Sequence, residues 1–134
     1  MLHHVELNVS NLVESKSFYS KLLPLLGYSL FQEWEEGFSY KAGPTYLVFV
    51  QTEEKFLQIP YHRKETGLNH LAFHASSHAQ VNEMTEKIKQ LGARILYKDL
   101  HPYAGGPDYY AVFFEGPDRL KIEIVAPDET MSNA

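Results

Sequence analysis

Two stretches of the chain show the same order of hydrophobic and polar positions. In each, a short run that alternates polar and apolar residues leads to a helix cap, a stripe of apolar residues at helical spacing, and a glycine. The first run covers residues 3–9, and its helix begins after Asn11 and ends near Gly27. The second run covers residues 69–75, and its helix spans residues 77–91. The pattern therefore predicts a strand followed by a helix, twice.

Strand-like runs separated by turn residues follow each helix. In the first half they cover residues 28–34, 38–41 and 46–51, and in the second half residues 94–97, 109–115 and 120–125. The order βαβββ is thus written twice, which is typical of one structural unit used twice. Ferredoxin-like folds also combine such strands and helices, so the order of elements alone indicates only an α+β protein with two similar halves.

These elements define the expected organisation of the chain. We expect a single domain over residues 1–126, made of modules at 2–52 and 68–126. Residues 53–67 are polar and are predicted to link the modules, and residues 127–134 are predicted to form a flexible tail. A chain of 134 residues is long enough to bury a core without disulfides.

Composition narrows the classes of partner. The net charge is −5 and the basic residues are scattered, which argues against binding to nucleic acid or to an anionic membrane. There is no cysteine, so thiolate ligands and a cysteine nucleophile are excluded. We find neither a signal peptide nor an apolar run of about 18 residues. We therefore expect a soluble cytoplasmic protein that acts on a small molecule.

Three side chains form a candidate metal site. His4 and His70 occupy the same place in the first strand of each repeat, on the face opposite the apolar side chains. Glu123 alternates with apolar residues in the strand predicted at 120–125 and points away from their packing face. Two imidazoles and one carboxylate can hold a divalent metal and leave coordination positions open. The alternative is two exposed histidines and a solvated carboxylate, but their matching positions in a repeated unit favour the metal.

Several stretches resemble the vicinal oxygen chelate superfamily, which includes glyoxalase I, fosfomycin-modifying thiol transferases, extradiol dioxygenases and bleomycin-resistance proteins. The similar stretches are NHLAF at 69–73, VFFEGPDRLKIEIV at 112–125, HHVELNVSNL at 3–12, SFY at 17–19 and LL at 22–23. The resemblance covers residues 2–126. It implies two βαβββ modules whose curved sheets form a cup, with His4, His70 and Glu123 as ligands of Fe²⁺, Mn²⁺, Ni²⁺ or Zn²⁺. Relatives commonly pair their modules across an interface, so a homodimer is expected.

The chain also departs from this family. Arg119 follows Pro117-Asp118 where the family commonly has glycine, so that turn need not keep its shape. Glyoxalase I takes a second carboxylate from the last strand of its first module. Aligning residues 48–50 with 122–124 places Phe49 there, and a phenyl ring can neither ligate a metal nor accept a proton. Glyoxalase I chemistry in its usual form is therefore not expected, and no cluster fits fosfomycin.

The expected function is a metal-dependent enzyme in which the ion chelates two adjacent substrate oxygens, with lyase, isomerase or dioxygenase chemistry. The candidates for a proton-transfer group are Glu6, His74, His101 or a metal-bound hydroxide. The side chains predicted to contact the substrate are Trp34, Phe49, Tyr103 and Tyr110, and the loop at 101–110 is either a lid or a plain connection.

The alternative function is a metal-independent protein that sequesters an aromatic antibiotic or metabolite, as bleomycin-resistance proteins do. Its binding surface would be a cup lined by aromatic side chains, namely Trp34, Tyr40, Tyr46, Phe49 and Tyr110. Bleomycin-binding relatives lack the metal ligands that this chain keeps, which favours the enzyme. The cup could be built within one chain or from modules exchanged between two copies.

Overall fold

The chain divides into two compact units, Met1–Tyr61 and His62–Ala134. The structure, a computed structural model, describes residues 1–128. Each unit contains one four-stranded mixed sheet and one α-helix, so the predicted α+β class is confirmed. No helix among the described residues is both long and apolar enough to cross a membrane.

The first unit has the predicted βαβββ order. Its elements are β1 His4–Val9, α1 Leu12–Leu22, β2 Ser29–Trp34, β3 Gly37–Ala42 and β4 Thr45–Gln51. The sheet order is β1-β4-β3-β2, in which β1 runs parallel to β4 and the other pairs are antiparallel. Short 3-10 helices at Leu23–Leu26 and Glu54–Phe56 follow α1 and β4.

The second unit repeats this topology. Its elements are β5 Leu71–His74, α2 His78–Gln90, β6 Arg94–Ile95, β7 Ala111–Glu115 and β8 Lys121–Val125. The sheet order is β5-β8-β7-β6, with β5 parallel to β8. The last strand of each unit is therefore central and lies beside the first strand, which places residues far apart in sequence next to each other.

Both helices begin where their caps were predicted. The Asn11 side chain accepts a hydrogen bond from the backbone of Glu14 at 3.1 Å, and the Ser77 hydroxyl accepts one from the backbone of Gln80 at 3.0 Å. Gly27 follows the 3-10 turn after α1 with φ 90°, a left-handed conformation that costs glycine little. These local signals fix where each helix lies between its flanking strands.

All four strands of the second unit are shorter than predicted, β8 by one residue and the other three by two or more. The strand expected at 69–75 begins at Leu71, and the one expected at 109–115 begins at Ala111. The strand expected at 94–97 contains only Arg94–Ile95, because Tyr97 adopts a left-handed backbone with φ 55° that extended pairing does not allow. Residues 129–134 of the predicted tail lie outside the described part of the chain.

Each sheet has an apolar face towards its helix and a second, more polar face. In the first unit, the ring of Tyr19 on α1 stacks on Phe49 of β4 at 4.3 Å between centroids, and Phe38 stacks on Phe49 at 4.9 Å. In the second unit, Ile122 and Ile124 of β8 are fully buried. Alternation along the strands turns the intervening residues to the other face, which we call the open face.

The turn before β8 keeps a left-handed backbone although it has no glycine at its end. Asp118 and Arg119 have φ 62° and 59°. A left-handed residue other than glycine costs about 1–2 kcal/mol. The Arg119 N–H donates to the carbonyl of Gly116 at 3.1 Å, and its guanidinium lies 3.6 Å from the Glu115 carboxylate. These contacts help to hold Arg119 where the family commonly has glycine.

Arg63 ties the segment before β5 to the second sheet. Its Nη1 donates to Oε1 of Glu115 at 2.9 Å and to the backbone carbonyl of Arg119 at 3.2 Å, and both side chains of the ion pair are largely buried. Burial alone would raise the pKa of Glu115. The hydrogen bond and charge of Arg63, together with the charges of Arg119 and Arg94, outweigh burial and hold this pKa below its ordinary value of 4.5.

We expect Arg63→Met to lower the free energy of unfolding at pH 7 by about 1.5–3 kcal/mol, the contribution of a hydrogen bond to a charged group. Because the folded-state pKa of Glu115 is lowered, this contribution is complete above pH 4.5 and is lost as the pH falls through the folded-state value. Urea unfolding at pH 7 and in strong acid measures the difference. Lys89→Met, which removes an exposed pair with Glu86, is the control and should change little. An Arg63→Met deficit that is the same at both pH values would contradict this role.

Candidate functional site

The strand registers align the two units residue by residue. In the second unit, Glu123 pairs with Ala72, which lies two residues after His70. In the first unit, the residue two after His4 pairs with Val48. The position equivalent to Glu123 is therefore occupied by Val48, and the alignment that placed Phe49 there is wrong by one residue.

Phe49 consequently faces α1 and not the open face. It is fully buried between Tyr19 and Phe38, so the predicted contact with a substrate or metal is contradicted. The physical reason for the error is that residues 46–50 are all apolar or aromatic, so their sequence does not reveal which alternate residues face the helix. A one-residue shift of register turns every side chain to the other face. A second carboxylate is still missing from this position, since valine cannot supply one.

His70 and Glu123 meet on the open face of the second unit. Nε2 of His70 lies 3.1 Å from Oε1 of Glu123, across the parallel pair of β5 and β8. The Glu123 side chain is only 4% exposed, whereas that of His70 is 31% exposed. A carboxylate removed from water in this way requires hydrogen-bond donors or a cation nearby.

Asn69 fixes the orientation of the His70 ring. Its Oδ1 lies 2.6 Å from Nδ1 of His70. A carbonyl oxygen can only accept, so the hydrogen sits on Nδ1 and the neutral ring presents a lone pair at Nε2. Such a bond to the far nitrogen is the arrangement that orients histidine ligands at metal sites.

Tyr109 binds the other oxygen of the carboxylate. Its hydroxyl donates to Oε2 of Glu123. Burial, the hydrogen bond to Glu123 and the charge of Glu123 raise the pKa of Tyr109 to about 12, so the phenol stays protonated and remains a donor. The ring packs so closely against Gly105 that a Cβ at this position would collide with it. Gly105 therefore gives Tyr109 the room to reach Glu123.

The pair of His70 and Glu123 fits a divalent metal. With its hydrogen on Nδ1, a neutral His70 turns the lone pair of Nε2 towards a carboxylate oxygen, and two acceptors repel each other at 3.1 Å. A second proton on the ring or a cation between the two atoms removes that conflict. Within each unit, no three His, Asp or Glu side chains of residues 1–128 are grouped closely enough to hold a metal ion, so the pair of His70 and Glu123 is not by itself a complete ligand set.

His4 lies at the start of β1, on the open face of the first unit. Its Nδ1 is 2.9 Å from Nδ1 of His3, and its ring stacks on Tyr46 at 4.8 Å between centroids. His3 precedes the strand, and its ring packs edge-on against that of His4 at 5.1 Å between centroids. The role of His4 as a metal ligand stays a prediction.

The three side chains predicted to transfer protons occupy different environments. Glu6 is exposed on the open face of the first unit and pairs in register with Val48. His74 is exposed at the end of β5 in the second unit. His101 lies in the loop before β7, where partial burial and then the positive charge of Lys89 lower its pKa and favour the neutral ring. Their catalytic roles stay predictions.

Tyr110 is turned to α2, which contradicts its predicted place beside the substrate. Its ring stacks on His78 at 4.0 Å between centroids, and its hydroxyl donates to Asn82 at 2.6 Å. Tyr103 packs edge-on against Tyr110 at 5.5 Å. Of the predicted substrate contacts, Trp34 keeps an exposed ring, which rests on Gly37 of the neighbouring strand.

Sequence reasoning missed Asn69 and Tyr109. Phe113 is opposite Glu123, and counting back in steps of two through Ala111 puts Tyr109, and not Tyr110, on the same face as Glu123. The alternation of the strand could therefore have identified Tyr109. No comparable signal marks Asn69, because its contact depends on the backbone just before β5 begins.

These observations define a two-unit α+β protein that carries a buried carboxylate beside an oriented histidine. The family model of the Glyoxalase/Bleomycin resistance protein/Dioxygenase superfamily matches residues 1–124. The chain belongs to this superfamily, and the resemblance inferred from its sequence is confirmed.

Individual relatives agree with this assignment. The protein YqjT of Bacillus subtilis is 54% identical over 126 residues, which cover 94% of this chain and 98% of YqjT. The crystal structure of a candidate glyoxalase from Bacillus halodurans has a TM-score of 0.93 and 61% identity, covering 95% of this chain and 96% of that one. Lactoylglutathione lyase from Agrobacterium tumefaciens has a TM-score of 0.67 at 19% identity, covering 96% and 94%, and shares the fold.

We expect Tyr109→Phe to lower the free energy of unfolding of chelator-treated protein by about 1–3 kcal/mol, because the buried carboxylate oxygen Oε2 of Glu123 loses its hydrogen-bond donor. Tyr103→Phe, whose ring packs edge-on against Tyr110, is the matched control and should cost about 0.5 kcal/mol or less. Chemical unfolding of both variants in parallel gives the comparison. Equal losses would show that the Tyr109 hydroxyl does not support the carboxylate.

Proposed function

We propose that this protein is a metal-dependent enzyme whose divalent ion chelates two adjacent oxygens of a small substrate. His70 and Glu123 would hold the ion, and His4 would complete the set from the same chain or from a second copy. Fe²⁺, Mn²⁺, Ni²⁺ and Zn²⁺ all suit two imidazoles and one carboxylate. The proposal keeps the reaction class open between lyase or isomerase and dioxygenase chemistry.

The orientation of the His70 ring is the observation that carries this proposal. Oδ1 of Asn69 accepts a hydrogen bond from Nδ1, and in the neutral ring Nε2 then presents a lone pair to Oε1 of Glu123. Two acceptors held this close in a largely buried position are the arrangement expected around a cation. Membership of a superfamily that contains glyoxalases and dioxygenases supports the same conclusion.

The surrounding residues have defined tasks in this proposal. A bound ion would act as a Lewis acid on the negative charge that develops on the substrate oxygens. Tyr109 holds Oε2 of Glu123 as a permanent donor, so Oε1 is the oxygen that faces His70. Phe113, opposite Glu123 in the sheet, places its ring 6.3 Å from that of His70 and limits access of water from that side. Glu6 and His74 are exposed, His101 is partly buried, and all three remain candidates for proton transfer.

The identity of residue 48 bears on the reaction. Val48 takes the position at which glyoxalase I has a second carboxylate, so a carboxylate ligand or base at position 48 is not part of this proposal. The likeness to lactoylglutathione lyase, at 19% identity, supports the fold and not that reaction. Proton transfer in this proposal therefore falls to Glu6, His74, His101 or a metal-bound hydroxide.

A sequestering protein for aromatic ligands has less support. Three of the five aromatic side chains expected to line its cup lie on the helix-covered side of their sheets, namely Tyr40, Phe49 and Tyr110. Tyr46 and Trp34 remain on or near the open face of the first unit. A homodimer and a small-molecule substrate belong to the proposal and stay predictions.

The ligand set can be tested by metal titration of chelator-treated, untagged protein. Because each ligand supplies a large share of a three-ligand site, His4→Ala, His70→Ala and Glu123→Ala should each weaken Mn²⁺ binding by about 100-fold or more. His62→Ala is the control, since its Nδ1 accepts from the backbone of Lys64 and it should bind Mn²⁺ as the wild type does.

Circular dichroism of each variant confirms that the fold is retained. Equal Mn²⁺ affinity in all four variants would refute the metal site. Loss in the His70 and Glu123 variants alone would keep the pair and remove His4 from the set.

A further inference from the structure

Lys121 lies on the open face of β8, two residues before Glu123. Its Nζ donates to the hydroxyl of Tyr97 at 2.8 Å. The ammonium also sits over two rings, 4.8 Å from the centroid of Tyr97 and 5.2 Å from that of Phe113. A cation held over aromatic faces is fixed in place without being neutralised.

We propose that Lys121 and Tyr97 form a subsite for the carboxylate of a small acidic substrate. This inference deepens the proposed function, on which it rests, by naming the charge of the substrate. The phenol oxygen of Tyr97 accepts from Lys121, so its own O–H is available to donate. The ammonium and the hydroxyl together offer donors to a singly charged group, and charge-assisted bonds of this kind are the strong ones.

No carboxylate among residues 1–128 fills this role. Over residues 1–128, Lys121 forms no ion pair with Asp or Glu. Glu115 is its cross-strand neighbour, but the oxygen Oε1 of Glu115 is bound by Arg63 at 2.9 Å and lies 3.6 Å from Arg119. Arg94 is the cross-strand neighbour of Glu115 on β6 and adds a further positive charge beside Glu115 and Lys121. This part of the open face therefore attracts anions in a chain whose net charge is −5.

The backbone at Tyr97 is held in place to present its ring. Tyr97 has φ 55°, a conformation that residues other than glycine rarely adopt. Its carbonyl accepts hydrogen bonds from the N–H groups of Leu100 and His101, both at 3.0 Å, which fix the turn. Its ring packs edge-on against Phe113 at 5.5 Å. A strained residue kept beside a candidate metal pair is consistent with a function in binding.

The spacing limits the size of the ligand. Residues two apart on one face of a strand are separated by about 7 Å. A molecule whose two oxygens bind beside Glu123 can thus reach Lys121 with a carboxylate only a few bonds away. Phe113, the cross-strand partner of Glu123, is buried beside this site, and Lys121 lies over its ring.

Two probes separate the carboxylate from the chelating oxygens. 3,4-Dihydroxybenzoate and its methyl ester share the vicinal oxygens, and only the first carries a negative carboxylate. We expect calorimetry to show that the wild-type protein with Mn²⁺ binds the acid about tenfold more tightly than the ester. Lys121→Met, which keeps the apolar stem, should abolish this preference without weakening Mn²⁺ binding. Tyr97→Phe should reduce the preference and leave the affinity for the ester unchanged.

Lys89→Met removes a lysine of the last turn of α2 and should retain the full preference. The same titrations without Mn²⁺, and of Mn²⁺ alone, distinguish the two proposals. If Mn²⁺ binds but the acid is not preferred, or is preferred equally by Lys121→Met, the subsite is refuted and the metal site stands. If Mn²⁺ does not bind but a preference that depends on Lys121 persists, the metal site is refuted and the subsite stands. Absence of both refutes both.

Discussion

Strand alternation is the constraint on which the rest of this structure depends. Every residue of the central strands β4 and β8 faces either the helix of its unit or the open face, and a shift of one position exchanges the two sets. The parity of β8 turns Ile122 and Ile124 to the core and leaves Lys121 and Glu123 on the open face. The same alternation in β4 turns Phe49 to the core and places Val48 on the open face, where it is the counterpart of Glu123. The chemistry of each unit follows from these assignments.

The sequence predicted the fold well wherever the signal was local. The cap at Asn11 and the glycine at Gly27 marked the ends of the first helical segment, and repetition of the pattern indicated two βαβββ units. The pairing of His70 with Glu123 was predictable because polar residues interrupt apolar strands there. Phe49 was misplaced because its strand is apolar at every central position, so hydrophobicity cannot report parity. Tyr110 was misplaced because Tyr109 and Tyr110 are adjacent and identical, so residue type does not reveal which of them faces the open side of the sheet.

The two buried carboxylates of the second unit are satisfied in different ways. Glu115 is surrounded by permanent cations, with Arg63 and Arg119 close to its oxygen, so its charge is balanced within the protein. Glu123 contacts a neutral phenol and an imidazole whose near nitrogen carries a lone pair in the neutral ring. The first arrangement stabilises the fold at a fixed charge. The second leaves the charge of Glu123 without a permanent cation beside it, which is why we propose a structural role for Glu115 and metal binding for Glu123.

Gly105 extends the influence of the site into the backbone of the loop before β7. Its backbone does not require glycine, because its φ lies outside the left-handed region, and the ring of Tyr109 alone excludes a side chain there. The requirement at position 105 therefore exists only while position 109 is a large ring. In the evolution of related chains, the two positions should change together: a lineage that replaces Tyr109 by a small residue is free to vary residue 105, whereas one that keeps the tyrosine is not.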